Sequence, residues 1–70
     1  MNRTKTQMIE EAARDARVSA RRSGRNLDIE LCWDIISGVS AVDQHRHPLS
    51  AKAVLAEARK QDREMGGWSW

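Results

Sequence analysis

Arginine side chains recur in the first third of the chain at a spacing that suits phosphate binding. Between residues 14 and 25 there are five arginines and no lysine. Four of them are separated by three, four and four residues, so a helix would carry them along one side. Each guanidinium group can hold a phosphate with two hydrogen bonds, and counterion release would make such binding salt-dependent. The pattern predicts a nucleic-acid-binding face formed by Arg14, Arg17, Arg21, Arg22 and Arg25.

The chain's net charge of +2 is distributed unevenly. Residues 1–25 hold seven basic and three acidic side chains, whereas residues 26–49 hold one basic and four acidic ones. Two interpretations stay open: the two segments neutralise each other inside one fold, or the basic segment faces an external polyanion. In the first case the arginines form a solvated helix face, with Glu10, Glu11 and Asp15 as local counter-charges.

Asp43, His45 and His47 lie within five residues of one another and could act as metal ligands together with Cys32. Their spacing matches no common zinc arrangement, so we predict no metal site and no cofactor. The histidines could instead titrate near neutral pH. Cys32 lies in an apolar segment, where a buried thiol is inert, and a chain this short leaves little room for a substrate pocket. The sequence therefore predicts a protein that is not an enzyme.

Three tryptophans are the only aromatic residues. Trp33 lies in the middle of the chain between acidic residues, and its favoured location is the core. Trp68 and Trp70 follow the pair Gly66-Gly67, and they either fold back over the core or are presented to a partner. Because tryptophan is enriched at binding hot spots, the alternative function is a protein-binding adaptor or inhibitor. It would dock through Trp33, Trp68, Trp70 and an exposed apolar stripe on the last helix.

The first helix is predicted at about residues 6–23. Thr4 and Gln7 have the spacing of a capping box, and Gly24 suits a left-handed stop. At 100° per residue the apolar side chains fall on one face and the arginines on the opposite one. That apolar face is rich in alanine, so its neighbour must approach closely. Its members are Met8, Ile9, Ala12, Ala13, Ala16 and Ala20.

Residues 26–39 are compatible with two structures. From Leu27 to Ile35 apolar and polar residues alternate, as in a strand. As a helix, the segment would be capped by Asn26 and would end at Gly38. A single strand cannot satisfy its own backbone groups and no other segment reads as a strand, which favours the helix. The strand would require pairing with a second copy across a two-fold axis.

The last helix is predicted at about residues 50–65, after a loop from Val39 to Leu49. Pro48 disfavours a helical conformation at His47, so the loop extends at least that far, and Ser50 is a suitable N-cap for the helix that follows. Asp62 interrupts the apolar stripe of this helix, so either the stripe is exposed at its last turn or Asp62 meets an arginine there. The stripe consists of Ala51, Val54, Leu55, Ala58 and Met65.

The sequence thus predicts an all-α fold, a small bundle of three helices at about 6–23, 27–38 and 50–65. Its 70 residues form one domain over 1–66 with a Gly/Trp tail at 67–70. Short helices with an alanine-rich face bury little surface, so a homodimer or a state stabilised by a partner is expected as often as a monomer. Because we find no apolar run of membrane-spanning length and no secretory signal, we expect a cytoplasmic location. The leading functional prediction is a non-enzymatic regulatory or accessory protein that binds nucleic acid.

Overall fold

A computed structural model describes residues 4–39 and 41–64, apart from the side chains of residues 43 and 46. Three helices pack pairwise on one another, and the contact between the first and the last is the most extensive. The described residues contain no strand. The predicted all-α bundle of three helices is therefore confirmed, with one further short helix. The elements are α1 (Lys5–Ser23), α2 (Ile29–Ser37), α3 (Ala41–Arg46) and α4 (Ala51–Glu64).

Both ends of α1 carry the predicted capping residues. The Thr4 hydroxyl oxygen accepts a hydrogen bond from the Gln7 amide at 3.1 Å, and the Thr4 amide donates to the Gln7 side chain at 3.0 Å. At the other end Gly24 has φ of 65°, in the left-handed region that glycine adopts without strain. These caps satisfy backbone groups that a helix end otherwise leaves unpaired, and they fix the length of α1.

Residues 29–37 form a helix, which confirms the helical interpretation of the alternating segment. The predicted cap at Asn26 is wrong, because the carboxylate of Asp28 accepts a hydrogen bond from the Leu31 amide at 2.9 Å. A negative charge at this position also interacts favourably with the positive end of the helix dipole. The helix consequently begins two residues later than predicted and ends, as predicted, at Gly38.

A short helix, α3, lies where the sequence predicted only a loop. The side-chain amide of Gln44 donates to the backbone carbonyl oxygen of Ile36 at 2.8 Å. The same carbonyl oxygen also accepts from the Val39 amide at 2.9 Å, so Gln44 gives it a second donor and ties α3 to the end of α2. Six residues are too few for a periodic pattern to distinguish a helix from a loop. The sequence could therefore not predict α3, whose contact with α2 forms only in the folded chain.

The core is aliphatic and contains many alanines, as the sequence predicted. Ala13 and Ala16 of α1 and Ala58 of α4 have no exposed surface. Because alanine extends only a methyl group, these positions let α1 and α4 approach closely. The buried stripe of α4 consists of Ala51, Val54, Leu55 and Ala58. The exposure on which the alternative function partly depended was expected at the last turn of this helix, which these four residues precede. Met65 and the tail at 66–70 lie outside the described residues.

None of the described helices combines the length and the apolar character needed to cross a membrane.

Candidate functional site

Arg17 lies inside the bundle and is only 3% exposed. Its Nε donates to Oδ1 of Asp62 at 2.8 Å, and its Nη1 donates to Oε1 of Gln61 at 2.8 Å. The predicted position of Arg17 in solvent is therefore wrong. Arg17 is at the margin of the α1 face that packs on α4, and the close approach of the two helices covers it. Asp62 meets an arginine, which is the second of the two alternatives left open for that residue.

Gln61 extends the contacts of Arg17 into a network between α1 and α4. Its side-chain amide donates to the backbone carbonyl oxygen of Glu10 at 3.2 Å and to Oε2 of Glu57 at 3.2 Å. Among the described residues no buried side-chain nitrogen or oxygen lacks a hydrogen-bond partner. A fully satisfied polar network in a low-dielectric interior specifies one helix arrangement. We call Arg17, Gln61 and Asp62 the buried clamp.

The other four arginines predicted to bind nucleic acid are exposed, namely Arg14, Arg21, Arg22 and Arg25. Nη1 of Arg25 donates to Oδ2 of Asp34 on α2 at 3.0 Å. The two side chains are 43% and 64% exposed, so this ion pair contributes about 1 kcal/mol at most. The row of arginines is thus interrupted at Arg17, and its last member is paired with an acidic residue of the same chain.

A surface cleft of about 330 Å³ opens where α1 ends. Its walls come from the last turns of α1, from residues 25–27 that lead to α2, and from α4. Ala20 and Leu27 contribute apolar surface, and Asn26 contributes an amide. The charged lining residues are Arg17, Arg21, Arg25 and Asp62. Three positive charges and one negative charge make this cleft a positively charged site, which sequence reasoning did not find because it requires three elements to meet.

Trp33 is 56% exposed, so its predicted position in the core is wrong. Ile29, one turn earlier on α2, is 36% exposed. The inner side of α2 is formed by Leu31, Cys32 and Ile36, and their burial directs Trp33 away from the core. We call the exposed residues of this helix the α2 outer face, and they are Ile29, Glu30, Trp33, Asp34 and Ser37. Trp68 and Trp70 lie outside the described residues.

The thiol of Cys32 is fully buried. Burial, followed by the nearby Asp28 carboxylate, raises the pKa of Cys32, although Arg59 acts in the opposite direction. A thiol with a raised pKa is a poor nucleophile. His45 is exposed and His47 is partly exposed. Within the described part of the chain no three residues of the types His, Cys, Asp and Glu come close enough to hold a metal ion.

Two surfaces are therefore candidates for binding: the positively charged cleft and the α2 outer face. They adjoin each other, since Arg25 lines the cleft and forms its ion pair with Asp34 of α2. The cleft offers positive charge beside a small apolar surface, whereas the outer face offers an indole beside two carboxylates. Comparison of the chain with protein-family models, with curated proteins and with solved structures gives no match.

Proposed function

We propose that the protein is a non-enzymatic protein-binding module that docks through the α2 outer face. The observation that supports this proposal most directly is the 56% exposure of Trp33 in a domain whose other described large apolar side chains are, except for Ile29 and Val42, buried or half-buried. Tryptophan is over-represented among the residues that dominate binding energy at protein interfaces. Ile29 is four residues before Trp33 and provides a second apolar anchor on the same side of the helix. Anchors at this spacing suit a helix lying in an apolar groove of its partner.

The charge of the α2 outer face indicates what kind of partner would bind there. Glu30 and Asp34 lie on this face beside Trp33. Asp34 pairs with Arg25 of the same chain, but both side chains are exposed, and a weak ion pair of this kind can be exchanged for a cation of a partner. A complementary surface would therefore have lysine or arginine side chains around an apolar pocket. A second copy related by a two-fold axis would bring the acidic residues of both copies together, which is unfavourable. We infer a basic partner protein rather than a homodimer through this face.

Replacing Trp33 by alanine is expected to weaken binding to a basic amphipathic partner by about thirtyfold, the loss typical of a hot-spot residue. The probe is a fluorescein-labelled amphipathic peptide of leucine and lysine, and the measurement is fluorescence anisotropy. A background with Trp68→Phe and Trp70→Phe leaves Trp33 as the only indole, and its emission is expected to shift to shorter wavelength when the peptide covers it.

The matched control is Val42→Ala, which removes an exposed apolar side chain from α3 instead of α2. A peptide of leucine and glutamate tests the inferred charge of the partner. Equal weakening by Trp33→Ala and Val42→Ala would indicate unspecific adhesion and contradict the proposal. Equal affinity for the lysine and glutamate peptides would contradict the preference for a basic partner.

Nucleic-acid binding is a second candidate, because four of the five predicted arginines are exposed. With four phosphate contacts on duplex DNA, the logarithm of the binding constant is expected to fall against the logarithm of salt concentration with a slope of about −3.6. The double variant Arg14→Gln and Arg22→Gln should reduce the magnitude of that slope by about 2. Lys52→Gln, an exposed cation on α4, is the control. Absence of binding at low salt, or an unchanged slope in the double variant, would exclude this candidate.

A further inference from the structure

The outward side of α4 carries a stripe of positive charge. Lys52, Ala56 and Lys60 follow one another at intervals of four residues, so they lie in a row along the helix. Arg59 and Arg63, also four residues apart, form a second row beside the first. All five side chains are exposed, and we call them the α4 basic stripe.

The acidic residues of α4 leave most of this charge in place. Asp62 belongs to the buried clamp, and the Glu57 carboxylate accepts a hydrogen bond from Gln61 of that clamp, so both interact outside the stripe. Nζ of Lys60 lies 3.9 Å from Oε1 of Glu64, but both side chains are more than half exposed, and an ion pair of this kind is weak. Within the described part of the chain, no ion pair joins the other three cations of the stripe to an acidic residue.

The α4 basic stripe matches the α2 outer face in charge and in spacing. Glu30 and Asp34 are four residues apart, as are Arg59 and Arg63, so each pair spans about 6 Å along its helix. A guanidinium group can hold a carboxylate with two hydrogen bonds, which makes arginine a specific partner at this spacing. The stripe extends over about 18 Å and α2 over about 14 Å, so the stripe is long enough for the whole outer face.

Trp33 suits the middle of the stripe. Because Ala56 extends only a methyl group, it leaves space between the two lysines one turn before and one turn after it. An indole that lies on Ala56 would leave water, and its ring face attracts an ammonium group. The exposed apolar anchor of one surface thus meets the smallest side chain of the other.

A second copy of the chain can therefore be the basic partner. Pairing two α2 outer faces brings like charges together, whereas placing α2 of one copy on α4 of another brings opposite charges together. We propose that the chain self-associates head to tail, with the α2 outer face of one copy on the α4 basic stripe of the next. This inference rests on the proposed function and identifies the partner. The contact of a nine-residue helix is small, so the association is weak and needs high protein concentration.

The test is the mass of the full chain in solution, measured by sedimentation equilibrium over a range of protein concentrations at low and high salt. At low salt the mass is expected to rise with concentration above that of one chain, and high salt should weaken the association because exposed charges are screened. The double variant Arg59→Glu and Arg63→Glu should associate at least about tenfold more weakly, since like charges then face each other. Both side chains are exposed, so the helical circular dichroism signal should stay unchanged.

The double variant Arg14→Glu and Arg22→Glu is the matched control, because it changes the net charge equally at exposed positions of α1. Equal weakening by the two double variants would show unspecific charge attraction and overturn the assignment of the stripe. A wild-type chain that stays monomeric but binds duplex DNA through Arg59 and Arg63 would assign the stripe to nucleic acid instead.

Mixing two variants tests both surfaces at once. Trp33→Ala lacks the anchor of the α2 outer face but retains the stripe, whereas the Arg59→Glu and Arg63→Glu variant retains the outer face and lacks the stripe. Each variant alone should associate at least about tenfold more weakly than the wild type. Their mixture should form a complex of one copy of each with about the affinity of a wild-type contact, because a head-to-tail contact needs only one surface from each copy. A mixture without this complex would show that another surface associates and would overturn the proposal.

The labelled peptide of leucine and lysine separates this inference from the proposed function. The Arg59→Glu and Arg63→Glu variant should still bind the peptide, since its α2 outer face is intact. A wild-type chain that binds the peptide but has the mass of one copy at every concentration overturns self-association and leaves the proposed function standing. A chain that does neither overturns both.

Discussion

Replacing Arg17 by alanine is expected to lower the free energy of unfolding by about 3 kcal/mol, at the lower end of the range for breaking a buried ion pair. The substitution removes the donors that hold Asp62 and Gln61, and it leaves a cavity between α1 and α4. The lower end applies because the Asp62 side chain is 38% exposed and can be partly hydrated. For 70 residues the total stability is roughly 4–10 kcal/mol, so the loss is a large fraction of it. Urea unfolding followed by circular dichroism measures the change.

Arg14→Ala is the control for this prediction, because Arg14 is an exposed arginine on the same helix. Its effect should lie within about 0.5 kcal/mol of zero. A double-mutant cycle with Asp62→Ala should give a coupling energy of about 1–3 kcal/mol with Arg17, since the two side chains are in direct contact. Similar small losses for Arg14→Ala and Arg17→Ala would mean that Arg17 lies in solvent, and the buried clamp would have to be abandoned.

The bounds of α1 could be predicted from the sequence because both of its ends carry capping residues that act locally. Thr4 needs only Gln7, three residues away, and Gly24 needs only its own backbone freedom. The first residue of α2 could not be predicted from the sequence, since Asn26 and Asp28 are both good N-cap residues two positions apart. The path of the chain after Gly24 decides between them, and that path depends on tertiary packing.

The position of Arg17 could not be predicted from periodicity alone. A helical wheel separates Arg17 from Arg14 and Arg21 by about 40–60°, so whether it is buried depends on where α4 lies. The sequence did contain a signal in Asp62, a carboxylate within an apolar stripe that requires a partner when buried. It could not identify that partner, 45 residues away along the chain. The cleft could not be predicted either, because its lining residues come from α1, from residues 25–27 and from α4, which meet only in the folded chain.

Replacing Leu31 by alanine is expected to lower the free energy of unfolding by about 2–5 kcal/mol, the range for removing a buried leucine side chain. Leu31 is 1% exposed and contributes one of the largest fully buried side chains among the described residues. The helix places Leu31 on the inner side, while Ile29, two residues earlier, is rotated by about 200° and points outward. Thermal and urea unfolding of the two single variants, Leu31→Ala and Ile29→Ala, compare the two sides of α2 directly.

This comparison also tests the helical assignment of residues 29–37 in solution. In a strand, side chains two residues apart point to the same face, so Leu31, Ile29 and Trp33 would be buried or exposed together. In the helix, Ile29→Ala should lower stability by clearly less than Leu31→Ala, because Ile29 is 36% exposed and Leu31 only 1%. Equal large losses at both positions would favour the strand paired with a second copy, and the loss would then depend on protein concentration. A large loss at Leu31 alone, independent of concentration, supports a monomeric helix with Trp33 directed away from the core.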